Sequence, residues 1–207
     1  MATSSRPSPG SPSPNEGERA GREGEGRRRV PYDGPGRRIG RRDGGVVTMA
    51  EFARRSESWS GVRLQGMSVP ITRSQSSNAE ICARHWRSFN AALARTSRTA
   101  SGSWEKFAVT YAVGEEYRYF CGVPATDPVP PVFETFDVPA HDHEVFDHRG
   151  PMSGLAATIS TIYREELPRG GAVPMSEQLF HVERYDRRFH WSRPDSVIEI
   201  WVPVSRG

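Results

Sequence analysis

Lysine is almost missing from this 207-residue chain: Lys106 is the only one among 28 basic residues, and arginine serves everywhere else. That usage points to a GC-rich genome rather than to a mechanism. Cysteine is scarce too. Cys82 and Cys121 are the only two, which excludes a disulfide framework, and both sit in apolar patterns that read as reduced core residues. No run approaches the roughly 18–20 apolar residues of a membrane span, and the N-terminus lacks the apolar core of a secretory signal. The chain therefore reads as soluble and cytoplasmic, with no membrane partner. There is also no Ser-His-Asp order, no phosphate-cradling glycine loop and no nucleotide fingerprint, so no cofactor is expected.

Large apolar side chains are missing from one region in particular. Residues 1–48 are Pro, Gly, Ser, Arg and Glu, with ten Arg against six acidic residues. Such a segment cannot offset its own ordering entropy, and residues 1–58 are expected to be a disordered tail. The remainder carries 18 basic and 19 acidic residues, so the basic balance belongs to the tail. Nucleic-acid contact is expected at most weakly, through "GRRRV" and "GRRIGRR". Either Met1 or Met49 can be the native start.

Residues 59–207 are patterned as one domain. "GVRLQGMSVPIT" (61–72) reads as a strand and 76–96 as a helix, with Ser77 and Glu80 as a capping box and Cys82, Trp86, Phe89 and Leu93 as its apolar stripe. Residues 104–113 and 116–124 read as a hairpin through Gly114. The order then recurs: a strand segment over 133–150, a helix beginning at Ser153 with the stripe Leu155, Ile159 and Ile162 and stopping at Gly170–Gly171, and closing strands over 176–186 and 195–204. Both halves, about 60–124 and 132–204, end alike, "FCGVPA" beside "EIWVPV". Aligning those ends matches Phe120 with Glu199 and Trp104 with Glu183. A strand–helix–strand–strand unit used twice predicts an α+β fold, a largely antiparallel sheet with both helices on one face and a ligand cleft on the other.

Strand parity nominates the cleft residues. Ile198, Ile200 and Val202 form the face expected under the helices, leaving Val197, Glu199 and Trp201 outward. In "FHVERY", Phe180 and Val182 are the apolar set, leaving His181, Glu183 and Tyr185 outward. Two carboxylates, Glu183 and Glu199, are thus expected beside Trp201 and Tyr185, with Trp104 and Phe120 added from the first half. Large aromatics mixed with carboxylates suit a cleft with placed acids better than a solvated face.

Other groupings are weaker. "HDHE" (141–144) with His148 invites a metal, but no third ligand has trustworthy spacing, and no metal is expected. His85 reads as packing or surface, and His190–Trp191 as a loop at the cleft mouth.

The motifs "HWRSF", "YFCGVP", "VPAHDHEVFDHRGP", "IYREELP", "FHVERYDRRF" and "SVIEIWVPV", in this order over about 60–204, resemble the GyrI-like, or AraC-type effector-binding, domain family. The resemblance implies the duplicated fold and a cleft for hydrophobic or aromatic, often cationic, small molecules. It places Glu183 as the buried carboxylate facing the ligand and keeps an aromatic wall at Trp201. The function it implies is a stand-alone small-molecule binder acting as a drug sensor or resistance protein. One alternative is a hydrolase that opens cyclopropane rings of DNA-alkylating toxins, with Glu183 as acid/base, Glu199 as second acid and Tyr185 as hydroxyl donor. Another is a protein-interaction module acting on a partner such as DNA gyrase.

Overall fold

The structure, a computed structural model, describes residues 53–96, 104–175 and 178–205. The expectations for residues 1–52, including the basic arm and the choice of start, lie outside the described residues.

The elements in chain order are β1 (Arg54–Trp59), β2 (Val62–Ile71), α1 (Gln75–Arg95), β3 (Lys106–Val113), β4 (Glu116–Pro124), β5 (Glu134–Val138), β6 (His141–Arg149), α2 (Leu155–Thr161), β7 (Val173–Pro174), β8 (Leu179–Tyr185) and β9 (Val197–Ser205). A π-type turn at Ile162–Glu166 and a last helical turn at Leu167–Arg169 extend α2. The strand order is β1-β6-β9-β8-β3-β4-β2-β5, with β7 beside β9. The pairings are antiparallel, so the α+β class and the antiparallel sheet are as expected. From the central pair, β4, β2 and β5 run outward beyond β3, while β9, β6 and β1 run outward beyond β8.

Three local readings differ. Residues 54–58, assigned to the tail, form most of β1, which pairs with β6 at the sheet edge. The sequence "RRSES" has no apolar alternation, and ion pairs tie it down instead: Arg54 to Glu144 at 2.7 Å and Arg55 to Glu199 at 2.9 Å. The single strand segment read over 133–150 is two strands on opposite sides of the sheet, parted after Val138, where Pro139 offers no N–H to the ladder. At α1 the capping box does not form. The helix opens after Ser74 without a side-chain cap, and Asn78 instead bonds back to Thr72.

Both helices pack on one sheet face. Trp86 and Phe89 of α1 and Leu155 and Ile159 of α2 join Ala108, Tyr119, Cys121, Phe146, Ile198, Ile200 and Val202 in one core. The expected stripes therefore face inward. Each fully buried side chain of the size of Phe89 adds about 1.5–3 kcal/mol relative to exposure. The opposite face carries a second apolar core that includes Leu64, Phe107, Val109, Phe120, Val145, Val182 and Trp201. It exists because the sheet curls. β1 and β3 are four strand steps apart, about 19 Å in a flat sheet, yet the rings of Trp59 and Phe107 lie 6.1 Å apart. At the other end the rings of Tyr111 on β3 and Phe136 on β5 lie 4.7 Å apart. Gly114, at φ 59°, allows the tight link between β3 and β4. Among the described residues no helix is long and apolar enough to cross a membrane.

Candidate functional site

The β8–β9 register decides where the candidate acids point. Glu183 lies across from Ala108 on β3 and Ile200 on β9, both members of the helix-side core. Val182 lies across from Val109 and Trp201, in the opposite core. The expected assignment of β8 is thus reversed. His181, Glu183 and Tyr185 point under the helices, while Glu199, Trp201 and Phe120 belong to the other face. The cleft, too, is on the helix side rather than away from it. Alternation had separated the two faces of β8 correctly. Polarity misled because both faces are covered, so the polar set is not the solvated one.

Glu183 is only 3% exposed. One carboxylate oxygen, Oε2, accepts hydrogen bonds from the Tyr119 hydroxyl at 3.0 Å and from the Tyr185 hydroxyl. The Trp86 indole N–H donates to the Tyr119 oxygen at 3.0 Å, so α1 braces the tyrosine that braces the acid. The other oxygen, Oε1, faces His181 Nε2 at 3.5 Å. Among the described residues no Arg or Lys pairs with this carboxylate. Its charge reaches several neighbours. Burial and then Glu183 push both tyrosine hydroxyls well above their usual titration. The same two causes push the Cys82 thiol up to about 12 and Cys121 upward as well. Both cysteines are free.

Trp86 and Tyr185 are also the floor of a cleft of about 320 Å³. Their rings meet edge to face at 5.0 Å. Asn90, Trp104, Lys106 and Met152 build its sides, and the 186–191 loop brings Phe189, His190 and Trp191. Trp104 and Trp191 are exposed at 63% and 56%, as rim residues. Lys106 donates to Asn90 Oδ1 at 2.6 Å, and burial lowers its titration. Glu183 therefore sits one side chain behind an aromatic floor. Of the sequence candidates, the structure brings together Glu183, Tyr185 and Trp104, with His190 and Trp191 at the rim. Tyr119, Asn90, Met152 and Phe189 were not anticipated. Trp86 was read as core alone; the usable signal was an N–H-bearing aromatic in an otherwise apolar stripe.

Glu199 is a different kind of acid. Arg188 donates to it at 2.7 Å, Arg55 at 2.9 Å, the Trp201 indole at 3.1 Å and Arg184 at 3.4 Å. Burial alone pushes its carboxyl up, but the Arg188 hydrogen bond, the Arg55 charge and the indole outweigh that and hold it below the usual range. Arg55 and Arg184 also lie over the Trp201 ring. Glu199, Trp201 and Phe120 therefore form a structural assembly away from the cleft.

Among the described residues no three metal-ligating side chains gather. His143 is buried on the Trp201 face and bonds the His141 carbonyl at 2.9 Å. His148 bridges Thr158 Oγ1 at 2.8 Å and the Pro151 carbonyl at 3.2 Å. His85 is buried against the Met67 carbonyl at 2.8 Å, which makes it a packing residue.

Residues 57–204 match the family model described as integron-associated effector-binding protein, Cass2. The transcriptional regulator BrlR of Pseudomonas aeruginosa is 32% identical over 92 residues, which cover 43% of this chain and 33% of the regulator. The chain thus spans about a third of the length of the curated relative it matches. Among solved structures, SAV2435 bound to tetraphenylphosphonium superposes with a TM-score of 0.59 at 13% identity, over 75% of this chain and 94% of that one. The Vibrio cholerae integron cassette protein gives 0.53 at 13% identity, over 74% and 97%. The C-terminal domain of EcmrR gives 0.52 at 14% identity, over 75% and 99%. At these identities the superpositions establish the fold.

Proposed function

This chain belongs to the family of integron-associated effector-binding proteins, the GyrI-like small-molecule-binding domains, and from that premise we propose that it captures flat or globular aromatic cations in the cleft floored by Trp86 and Tyr185. The observation that carries this reading is Glu183, a buried carboxylate behind an aromatic cleft with two tyrosine donors and, among the described residues, no Arg or Lys partner. Burying an unpaired carboxylate is costly unless a cation offsets it. An aromatic cation meets that need: the rings of Trp86, Tyr185, Phe189 and the rim tryptophans supply cation–π and stacking contact, and Glu183 supplies charge. SAV2435, which shares the fold, was solved with such a cation. We also infer that the two flanks of the sheet derive from one strand–helix–strand–strand unit, since each runs outward in the same order of elements.

A role as a drug sensor or resistance protein follows from capture of this kind. The hydrolase alternative finds less support. Its second acid, Glu199, is held by three arginines on the other sheet face and does not converge with Glu183.

The test is a calorimetric titration of the purified protein with tetraphenylphosphonium and, in parallel, with neutral triphenylphosphine oxide. Preference for the cation by tenfold or more supports the reading. Equal affinity for both compounds, or binding of neither, sinks it. Incubation with a cyclopropane-bearing alkylator and mass spectrometry for a water adduct would reveal hydrolysis.

A further inference from the structure

The one lysine of the chain stands on the wall of the cleft. Lys106 is half-buried and lies directly across from Tyr185 in the β3–β8 ladder. Its ammonium donates to Asn90 Oδ1 at 2.6 Å, and among the described residues no carboxylate pairs with it. An ammonium can only donate, so this contact sets Asn90 with its carbonyl oxygen toward Lys106 and its NH2 turned away. The wall thus presents a positive charge and amide donors. The rest of the lining supplies no available anion. Asp186 is the single carboxylate among the lining residues. Arg188 takes it through its backbone N–H at 2.8 Å, Nε at 2.9 Å and Nη2 at 2.7 Å.

A positive wall disfavours a bare cation, because like charges between aromatic rings are poorly screened. It becomes favourable once the same ligand carries an anion at that edge. Tyr185 stands between the two charged groups: its backbone pairs with Lys106, and its hydroxyl donates to Glu183. We propose that Lys106, supported by Asn90, is an anion anchor, and that the cleft selects amphoteric aromatic ligands, in which a delocalised cation bears a carboxylate at one edge. The proposal rests on the cation-capture reading above: Glu183 serves the cationic ring system and Lys106 the carboxylate. Lysine suits this place better than arginine, since a compact point charge binds an anion without laying a second flat group against the rings. Burial lowers the titration of Lys106, as expected of an ammonium that has lost hydration without gaining an anion.

The test uses the whole chain near neutral pH with rhodamine B and rhodamine B ethyl ester, followed by fluorescence anisotropy. The two dyes share one cationic ring system and differ in whether the carboxylate is free. Wild type binds the free acid more tightly by about tenfold, the effect of one charge-assisted hydrogen bond. Lys106→Met and Lys106→Gln both lose this preference. Each also binds tetraphenylphosphonium more tightly, by about twofold or more, because a like charge is gone. A merely structural lysine would weaken all three ligands together when replaced. Equal affinity of wild type for the two dyes, or a preference that survives in either variant, overturns the proposal. If the ester and tetraphenylphosphonium bind and the free acid has no advantage, the anchor alone falls. If the free acid alone binds and needs Lys106, the anchor stands and plain cation capture falls. If none of the three binds, both fall.

Discussion

Glu183 lies directly across from Ile200 in the β8–β9 ladder, one residue from Glu199, and so the two carboxylates project from opposite faces of one sheet. Arg184, the neighbour of Glu183 in the chain, reaches Glu199 rather than Glu183. This single register puts Glu183 on the helix side, behind the cleft, and Glu199 among arginines on the other face.

Replacing Glu183 with Gln keeps the shape and removes the charge. Affinity for tetraphenylphosphonium should drop about ten- to hundredfold, about 1.4–2.7 kcal/mol, while circular dichroism and the unfolding midpoint stay at or above wild type. A variant that binds as tightly as wild type would show that the carboxylate does not contribute.

Glu199→Gln should do the reverse. Three arginines and an indole lose their anion, and unfolding in urea should show a loss of about 2–3 kcal/mol near neutral pH, with ligand affinity within about twofold. The pH dependence follows. The folded Glu199 titrates below its unfolded value, so its contribution is present above the unfolded value and is lost as the pH falls through the folded one. Acid sensitivity below about pH 4 should therefore be weaker in Glu199→Gln. Urea midpoints between pH 3 and 6 for both proteins would settle this.

Cys82, pushed up to about 12, and Cys121, pushed upward too, should resist a disulfide-exchange reagent at pH 8 in the folded protein. Two thiols per chain should react once the protein is denatured. Rapid native labelling of either would contradict the packing of α1 against β4.

A chain beginning at residue 59 loses Arg54 and Arg55, and with them the charged hydrogen bonds to Glu144 and Glu199. It should be less stable than one beginning at residue 49 by about 3 kcal/mol or more. Equal unfolding midpoints would mean that β1 contributes little.

Much of this was legible in the sequence, and the misses share causes. The helical stripes and the Ile198–Ile200–Val202 face read correctly because one side of each is strongly apolar. For β8, alternation gave two sets but not which one is covered. The outward set, His181, Glu183 and Tyr185, was read onto a cleft on the non-helix face, yet it lies on the helix side. The second core on the far face depends on curl, and curl comes from contacts such as Trp59 with Phe107, between residues 48 positions apart in sequence. β1 was invisible because Arg54–Ser58 carry no apolar alternation and its partner strand lies about 90 residues on. Parity nominated Glu183 as a cleft residue but on the wrong sheet face, and the family resemblance added that it is buried, as its 3% exposure shows.

The strand order also bears on how the chain reaches this state. β1, which precedes β2, pairs with β6 on the far flank, and β5, which precedes β6, pairs with β2. The β8–β9–β6 flank is therefore closed by β1, a strand from the far end of the chain. During synthesis β1 must wait for β6, and the β3–β8 joint must wait for most of the remaining chain, so closure is late and long-range. A copy interrupted between β5 and β6 would leave β1 and the outer edge of β3 without partner strands, open to its neighbours. In two full-length copies, β1 of each could pair with β6 of the other, which makes exchange of β1 the characteristic assembly error of this topology.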